Sequence, residues 1–294
     1  MKNMPKIFSK RNKTKFLTFV SVCFLIGLLF LFPNLSVFYF SKLPLEIEQL
    51  FNSEKDIYHN NCLGRCPTGA ANDNIIVDHE VIILSSNKET KFADWVAYKV
   101  TPANINGPER KRNWAKDPKI DAQFTLIPSD YKGMSEAPYF FDRGHQAPLA
   151  AFKNHSKWYV VNYLSNITPQ KKNLNRGAWK ALESTERKLA KHYNEIYVIT
   201  GPFYNKEKPI EISLNKRVDY TIPSGYWKII SLNKGSVIET VGFIFPQEAP
   251  LNANHCQYVN KVSEIEKISG LEFFNKEIHL QEENLLAEMG CIEK

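Results

Sequence analysis

Residues Phe140 to Glu183 read FFDRGHQAPLAAFKNHSKWYVVNYLSNITPQKKNLNRGAWKALE. His145 lies between Asp142-Arg143-Gly144 and a nearby proline, Pro148. A neutral imidazole can take a proton from water near pH 7. Asp142 can hold backbone or basic partners, and Gly144 allows close approach of a ligand or a sharp turn. A structural, hydrogen-bonded histidine is the alternative reading of these four residues. Asparagines follow at 154, 162, 166, 173 and 175. An amide carbonyl is a hard, neutral oxygen that suits Mg²⁺, an ion that keeps most of its waters. Asn173 can instead cap a helix.

Lys157 to Leu164 has the composition of a strand, and Asn175 to Tyr193 that of a helix. Ala178, Leu182, Thr185 and Leu189 give that helix an apolar stripe. On it Asn175, Glu183 and Arg187 fall within roughly 120° of one another. Glu183 and Arg187 are also an i,i+4 pair, which on a solvated face is decoration. Facing a histidine, the same residues have a use. The amide binds a metal, the carboxylate holds a metal-bound water, and the guanidinium meets a phosphate.

Outward from this stretch, the chain reads as one α+β domain. Strands are expected at Ile75–Leu84, Trp95–Thr101, Ile196–Thr200, Tyr226–Ser231 and Val237–Phe245. The second pairs antiparallel with the first, Gly201-Pro202 ends the third, and Asn233-Lys234-Gly235 turns the last two into a hairpin. Val262–Ser269 is a short amphipathic helix stopped by Gly270. Residues 102–138 form a polar passage with a basic cluster at 110–119, and 171–191 carry seven Lys/Arg against two Glu.

The net charge of +7 is not a nucleic-acid signal in itself. Residues 1–42 hold seven Lys/Arg and no acid, which leaves 31 basic and 31 acidic residues in the body. A polyanion must therefore meet local patches. Phe16 to Phe40 is an uncharged run of 25 residues behind six basic ones. That pattern is an export signal or a membrane anchor, with the body outside the cytoplasm. The expected layout is 1–42 signal or anchor, 43–57 linker and 58–294 catalytic domain. Cys62, Cys66, Cys256 and Cys291 suit disulfides in an oxidising compartment. A zinc site near Cys256 and Cys291 with His255 and His279 is the competing reading.

Asp142-Arg143-Gly144-His145, Asn162 to Gln170 (NYLSNITPQ), Asn175-Arg176-Gly177-Ala178-Trp179 and Leu182-Glu183 resemble the DNA/RNA non-specific endonuclease family, the ββα-metal nucleases. The likeness is to its secreted rather than its mitochondrial branch. It runs from about Tyr58 to Cys291. It takes in Cys66-Pro67-Thr68-Gly69, Lys91-Phe92-Ala93, Trp95 to Tyr98, Arg112-Asn113-Trp114 and Tyr226-Trp227-Lys228. The resemblance implies a central antiparallel sheet flanked by helices, and a ββα unit holding one Mg²⁺, which Mn²⁺ can replace. It makes His145 the general base, Asn175 the direct metal ligand and Glu183 a neighbour of the metal's waters. Arg143, Arg112 and Arg187 become phosphate contacts, and Asn162 and Asn166 supporting residues. It pairs Cys62 with Cys66 and Cys256 with Cys291. DNA and RNA are the implied substrates, and a homodimer is left open. A membrane-tethered receptor that binds nucleic acid without cutting it is the alternative.

Overall fold

The computed structural model describes residues 57–294, apart from 206, 208, 216, 217, 236, 275–279, 282, 293 and 294. The expected signal or anchor at 16–40, the linker up to residue 56, and His279 lie outside the described residues. Among the described residues no helix is long and apolar enough to cross a membrane.

Twelve strands are described. They are β1 (Ile75–Asp78), β2 (Ile82–Ser86), β3 (Ala93–Val100), β4 (Phe141–His145), β5 (Ile167–Lys171), β6 (Ile196–Phe203), β7 (Ile210–Asn215), β8 (Val218–Ile222), β9 (Gly225–Asn233), β10 (Ile238–Pro246), β11 (Val259–Asn260) and β12 (Leu280–Gln281). The helices are α1 (Pro102–Ile105), α2 (Lys172–Arg176), α3 (Ala178–Tyr193), α4 (Val262–Ser269) and α5 (Glu283–Glu288). One sheet runs β1-β2-β3-β6-β9-β10-β11, with β12 beside β10. Its pairings are antiparallel except β10 with β12. The fold thus mixes an antiparallel sheet with helices, as the resemblance implied.

The period-2 alternation of the strands builds two cores. On β3, Val96 and Tyr98 join a cluster with Trp179, Leu182 and Leu189 of α3. Trp95 and Ala97 point the other way, into a cluster with Val262 and Ile265 of α4 and the Cys62–Cys66 bridge. The sheet is therefore covered on both faces, which explains why β9 is buried at every position but its last. Each large side chain buried this way contributes roughly 1.5–3 kcal/mol. A third cluster lies apart from the sheet. There Phe141 and Ile167 of the β4–β5 hairpin pack with Tyr220 and Ile222 of the β7–β8 hairpin.

Several expected elements change on folding. Ile75–Leu84 is two strands, because His79-Glu80-Val81 turns the chain and Glu80 takes φ 71°. β6 continues through Gly201-Pro202 to Phe203, since Trp227 and Tyr226 of β9 pair with those two residues. Lys157–Leu164 is not a strand. It folds into short 3₁₀ turns at Trp158–Asn162 and Leu164–Asn166, and the second strand of the hairpin is β5 instead. The helix expected from Asn175 is two helices broken at Gly177, with Asn175 and Asn173 in the first. Lys171 holds the N-cap position, so Asn173 is not a cap. A Cβ at Gly177 would sit 2.4 Å from the Leu251 carbonyl and 2.6 Å from the Asn173 carbonyl, so glycine is required at the break. The other strands, the β2–β3 pairing, the β9–β10 hairpin and the α4 helix with its Gly270 stop are as expected.

Candidate active site

β4 and β5 pair antiparallel, with His145 opposite Ile167 and Phe141 opposite Lys171. The chain then enters α2 directly, so strand, strand and helix form one continuous unit. Gly144 makes the hairpin close. A Cβ there would lie 2.3 Å from the Gln170 Oε1 across the ladder. The close approach is to a buried side chain of the protein, not to a ligand.

His145 ends β4 and is 9% exposed. Trp114 lies against its ring, with centroids 5.2 Å apart. Trp179 of α3 donates its indole N–H to the His145 carbonyl at 3.3 Å, which ties the strand to the helix. Nε2 of His145 is 3.1 Å from Oδ1 of Asn162. The Asn162 amide nitrogen donates to the Lys111 carbonyl at 3.4 Å, which fixes the amide with its oxygen toward the imidazole. Nε2 must therefore carry the proton, and Nδ1 keeps its lone pair. Burial pushes the imidazole down to about 4. The Asn162 hydrogen bond opposes this, and the charge of Arg112 adds to it. His145 is neutral at pH 7 with one nitrogen free to accept.

Asn175 donates its amide nitrogen to Oδ2 of Asp142 at 3.0 Å. Only the nitrogen can donate to a carboxylate, so the orientation is set and the carbonyl oxygen is turned away from Asp142. Asp142 is also gripped by Arg176, at 2.7 Å from Nε and 2.8 Å from Nη2. Burial works against its charge, but the bonds from Arg176 and Asn175 hold its carboxyl below the ordinary value. Asn166 is different. Its Oδ1 accepts from Ala147 N, and its amide nitrogen donates to the Ala147 and Val161 carbonyls at 2.9 and 2.8 Å. Those bonds clamp the loop after His145 and commit the amide to backbone.

Glu183 and Arg187 lie on α3. Burial pushes the Glu183 carboxyl up to about 7; Lys228 opposes this, Glu186 reinforces it, and Arg187 opposes it. Arg187 donates to Ser184 Oγ at 2.9 Å, and its Nη1 is buried without a hydrogen-bond partner. Arg143 donates to the Pro128 carbonyl at 2.9 Å and stacks between Trp114 and Tyr131, 5.6 and 5.4 Å from their rings. Its Nε is likewise buried and unpartnered. These two guanidinium N–H donors have no hydrogen-bond partner among the described residues. Arg112 is exposed, close enough to His145 to depress it electrostatically.

Six of the eight residues expected at the site fall in three groups: Arg112, His145 and Asn162; Asn175, bonded to Asp142; and Glu183 with Arg187; Arg143 shares Trp114 with His145, and Asn166 is committed to backbone. The single-helix geometry expected for Asn175, Glu183 and Arg187 is replaced by a bent one. The donor set is all oxygen and includes a neutral amide, which fits Mg²⁺ or Mn²⁺ better than a soft ion. His255, Cys256 and Cys291 also approach within 4.8 Å of one another, but the two sulfurs are bonded to each other. That leaves His255 as the one ligand among the described residues, and with both sulfurs bonded the disulfide reading stands. Cys62 is bonded to Cys66.

Reading the sequence did not find the role of Arg176 or the ion pair under α3. Lys228 of β9 and Glu186 of α3 are fully buried and meet at 2.6 Å. Tyr98 donates to the other Glu186 oxygen at 3.0 Å, and the ammonium stands 4.2 Å over the Trp179 ring. The signal was present, since an isolated lysine in YWKIIS interrupts an otherwise apolar strand.

The model of the DNA/RNA non-specific endonuclease family matches residues 64–277. The chain is 43% identical to a nuclease of Serratia marcescens over 215 residues, 72% of this chain and 79% of that one. It is 28% identical to human mitochondrial endonuclease G over 232 residues, 72% of this chain and 71% of that one. A solved EndoG/EndoGI complex superposes with a TM-score of 0.58 at 22% identity, covering 70% of this chain and 89% of its own. A hairpin ending in a neutral histidine, leading into a helix that presents an amide oxygen, is thus embedded in a chain that belongs to the DNA/RNA non-specific endonuclease family.

Proposed function

We propose that the protein is an exported, Mg²⁺-dependent endonuclease that hydrolyses phosphodiester bonds in both DNA and RNA. The observation that carries the reading is the buried, neutral His145, whose Nε2 faces Oδ1 of Asn162 and so leaves Nδ1 as the accepting nitrogen. In this reading Nδ1 takes the proton of the attacking water. Asn162 holds the imidazole in place through Nε2–H. Arg143, Arg187 and Arg112 meet the negative charge that grows on the phosphate oxygens. Asn175 Oδ1 would hold the ion, with Glu183 beside its waters. An ion held there would supply neutralisation of phosphate charge and help for the leaving oxygen. Contacts aimed at phosphate carry no sequence information, which accords with acting on both nucleic acids. Residues 1–42 export the domain at 58–294 to the periplasm or beyond, or tether it to the membrane.

The purified protein should degrade plasmid and RNA with Mg²⁺ and stop in EDTA. His145→Ala should lose at least a hundredfold in rate; a loss under tenfold overturns the assignment of the base. A receptor that only binds would retain nucleic acid on a filter and fail to cleave it whatever divalent ion is supplied.

A further inference from the structure

Phe140, just before β4, is 48% exposed and has φ 55°. That left-handed conformation is rare for a bulky side chain and is strained where the fold enforces it. The backbone on both sides is pinned. Phe140 N donates to the Glu136 carbonyl at 2.9 Å, and its own carbonyl accepts from Lys172 N at 3.1 Å. The fold therefore holds an aromatic ring out toward solvent in a strained conformation. The ring lines a pocket of about 280 Å³ shared with Lys171, Lys172, Asn173 and Glu248. Lys172 Nζ is anchored on the Ser135 carbonyl at 2.6 Å and stands 5.5 Å from the Phe140 ring centre.

From these features we infer that Phe140 is a stacking platform for one unpaired nucleobase of the substrate, next to the reacting phosphate. The inference rests on the nuclease reading and extends it to a base subsite. Its chemistry is mixed in a way that fits a base better than a phosphate. An aromatic face stacks any base. The Asn173 amide and the Glu248 carboxylate can meet the amino groups of a base edge, while Glu248 would repel a phosphate. Lys171 and Lys172 supply positive charge for the backbone on either side. The location is right as well. Phe140 precedes Asp142, the partner of Asn175, by two residues, or roughly 7 Å of extended chain. A base held there must be out of its duplex, so the subsite favours single strands, RNA loops and frayed ends.

The test uses the whole protein in EDTA, where cleavage is stopped, and a single-stranded oligonucleotide carrying 2-aminopurine at one position walked along the strand. Binding to the parent should quench the fluorescence at one position. Phe140→Ala should remove that quench and weaken binding about tenfold, the size of one lost base stack. Phe140→Tyr should keep both. An oligonucleotide abasic at the quenched position should bind parent and Phe140→Ala alike within twofold. Phe140→Gly provides the folding control. Glycine takes positive φ freely, so this variant should melt at or above the parent temperature and still bind about tenfold more weakly. The inference is overturned if the parent shows no position-specific quench, or if Phe140→Gly binds the intact strand within twofold of the parent. If the quench is found but the parent cleaves neither DNA nor RNA with any divalent ion, the subsite stands and the nuclease reading falls.

Discussion

The His145 imidazole is held neutral down to about pH 4, against an ordinary value of 6.5, chiefly because it is buried. The folded protein therefore binds fewer protons than the unfolded chain between those two pH values. Stability contributed by this residue rises with pH across that window, and roughly 3 kcal/mol is lost by pH 4. Activity limited by this base should stay flat from pH 8 to 6 and fall only as pH approaches 4. Asn162→Asp places a carboxylate against Nε2–H and should raise the imidazole value. The acid limb of kcat/KM should then move up by at least one pH unit; an unmoved limb means His145 is not the titrating base. At Gly144 the prediction concerns stability. A methyl group would need space 2.3 Å from Gln170, which is fully buried. Gly144→Ala should cost about 1–3 kcal/mol in urea unfolding.

At the scale of elements, the break at Gly177 decides where Asn175 is presented. Gly177→Ala must push the α2–α3 corner away from Leu251. A displacement of about 1 Å can cost a hundredfold in rate. With Asn175 holding the ion as proposed, the variant should need about tenfold more Mg²⁺ for half-maximal activity, while its helix content by circular dichroism is unchanged. The α3–β9 ion pair makes the complementary prediction. Lys228→Met leaves Glu186 charged and buried without its partner, at a cost of about 3–5 kcal/mol. Lys228→Met with Glu186→Leu should recover most of that loss. Lys228 also lowers the Glu183 carboxyl, so the single variant should shift the pH profile that depends on Glu183 upward. These elements were unevenly legible. The family resemblance around His145 was readable because the residues that carry it, Asp142 to His145 and Asn162 to Glu183, lie close together in sequence. Trp158 to Asn162 misled because Tyr159, Val160 and Val161 have strand composition, while the backbone there turns to deliver Asn162 to His145. Lys228 was read as one position of a strand because pattern alone does not show that β9 is covered on both faces.

Across the whole molecule the two disulfides differ in what they close. Cys256–Cys291 spans 35 residues and Cys62–Cys66 only 4. Loop-closure entropy assigns about 4 kcal/mol to the first and about 2 kcal/mol to the second. Cys256→Ser with Cys291→Ser should therefore lower the melting temperature more than Cys62→Ser with Cys66→Ser. The balanced charge of the body was legible directly, by counting outside residues 1–42. The placement of the three-group site was not, because it depends on strand register and on one helix break.

The same two bridges bear on how a cell survives making this protein. Their combined contribution is comparable with the whole stability of many domains, about 5–15 kcal/mol. A chain still in a reducing cytoplasm would lack both. It would spend much of its time without the packed hairpin that carries His145 and Asp142. With the export proposed above, competence to cut would then arrive only with oxidation, outside the compartment that holds the genome and messages of its own maker.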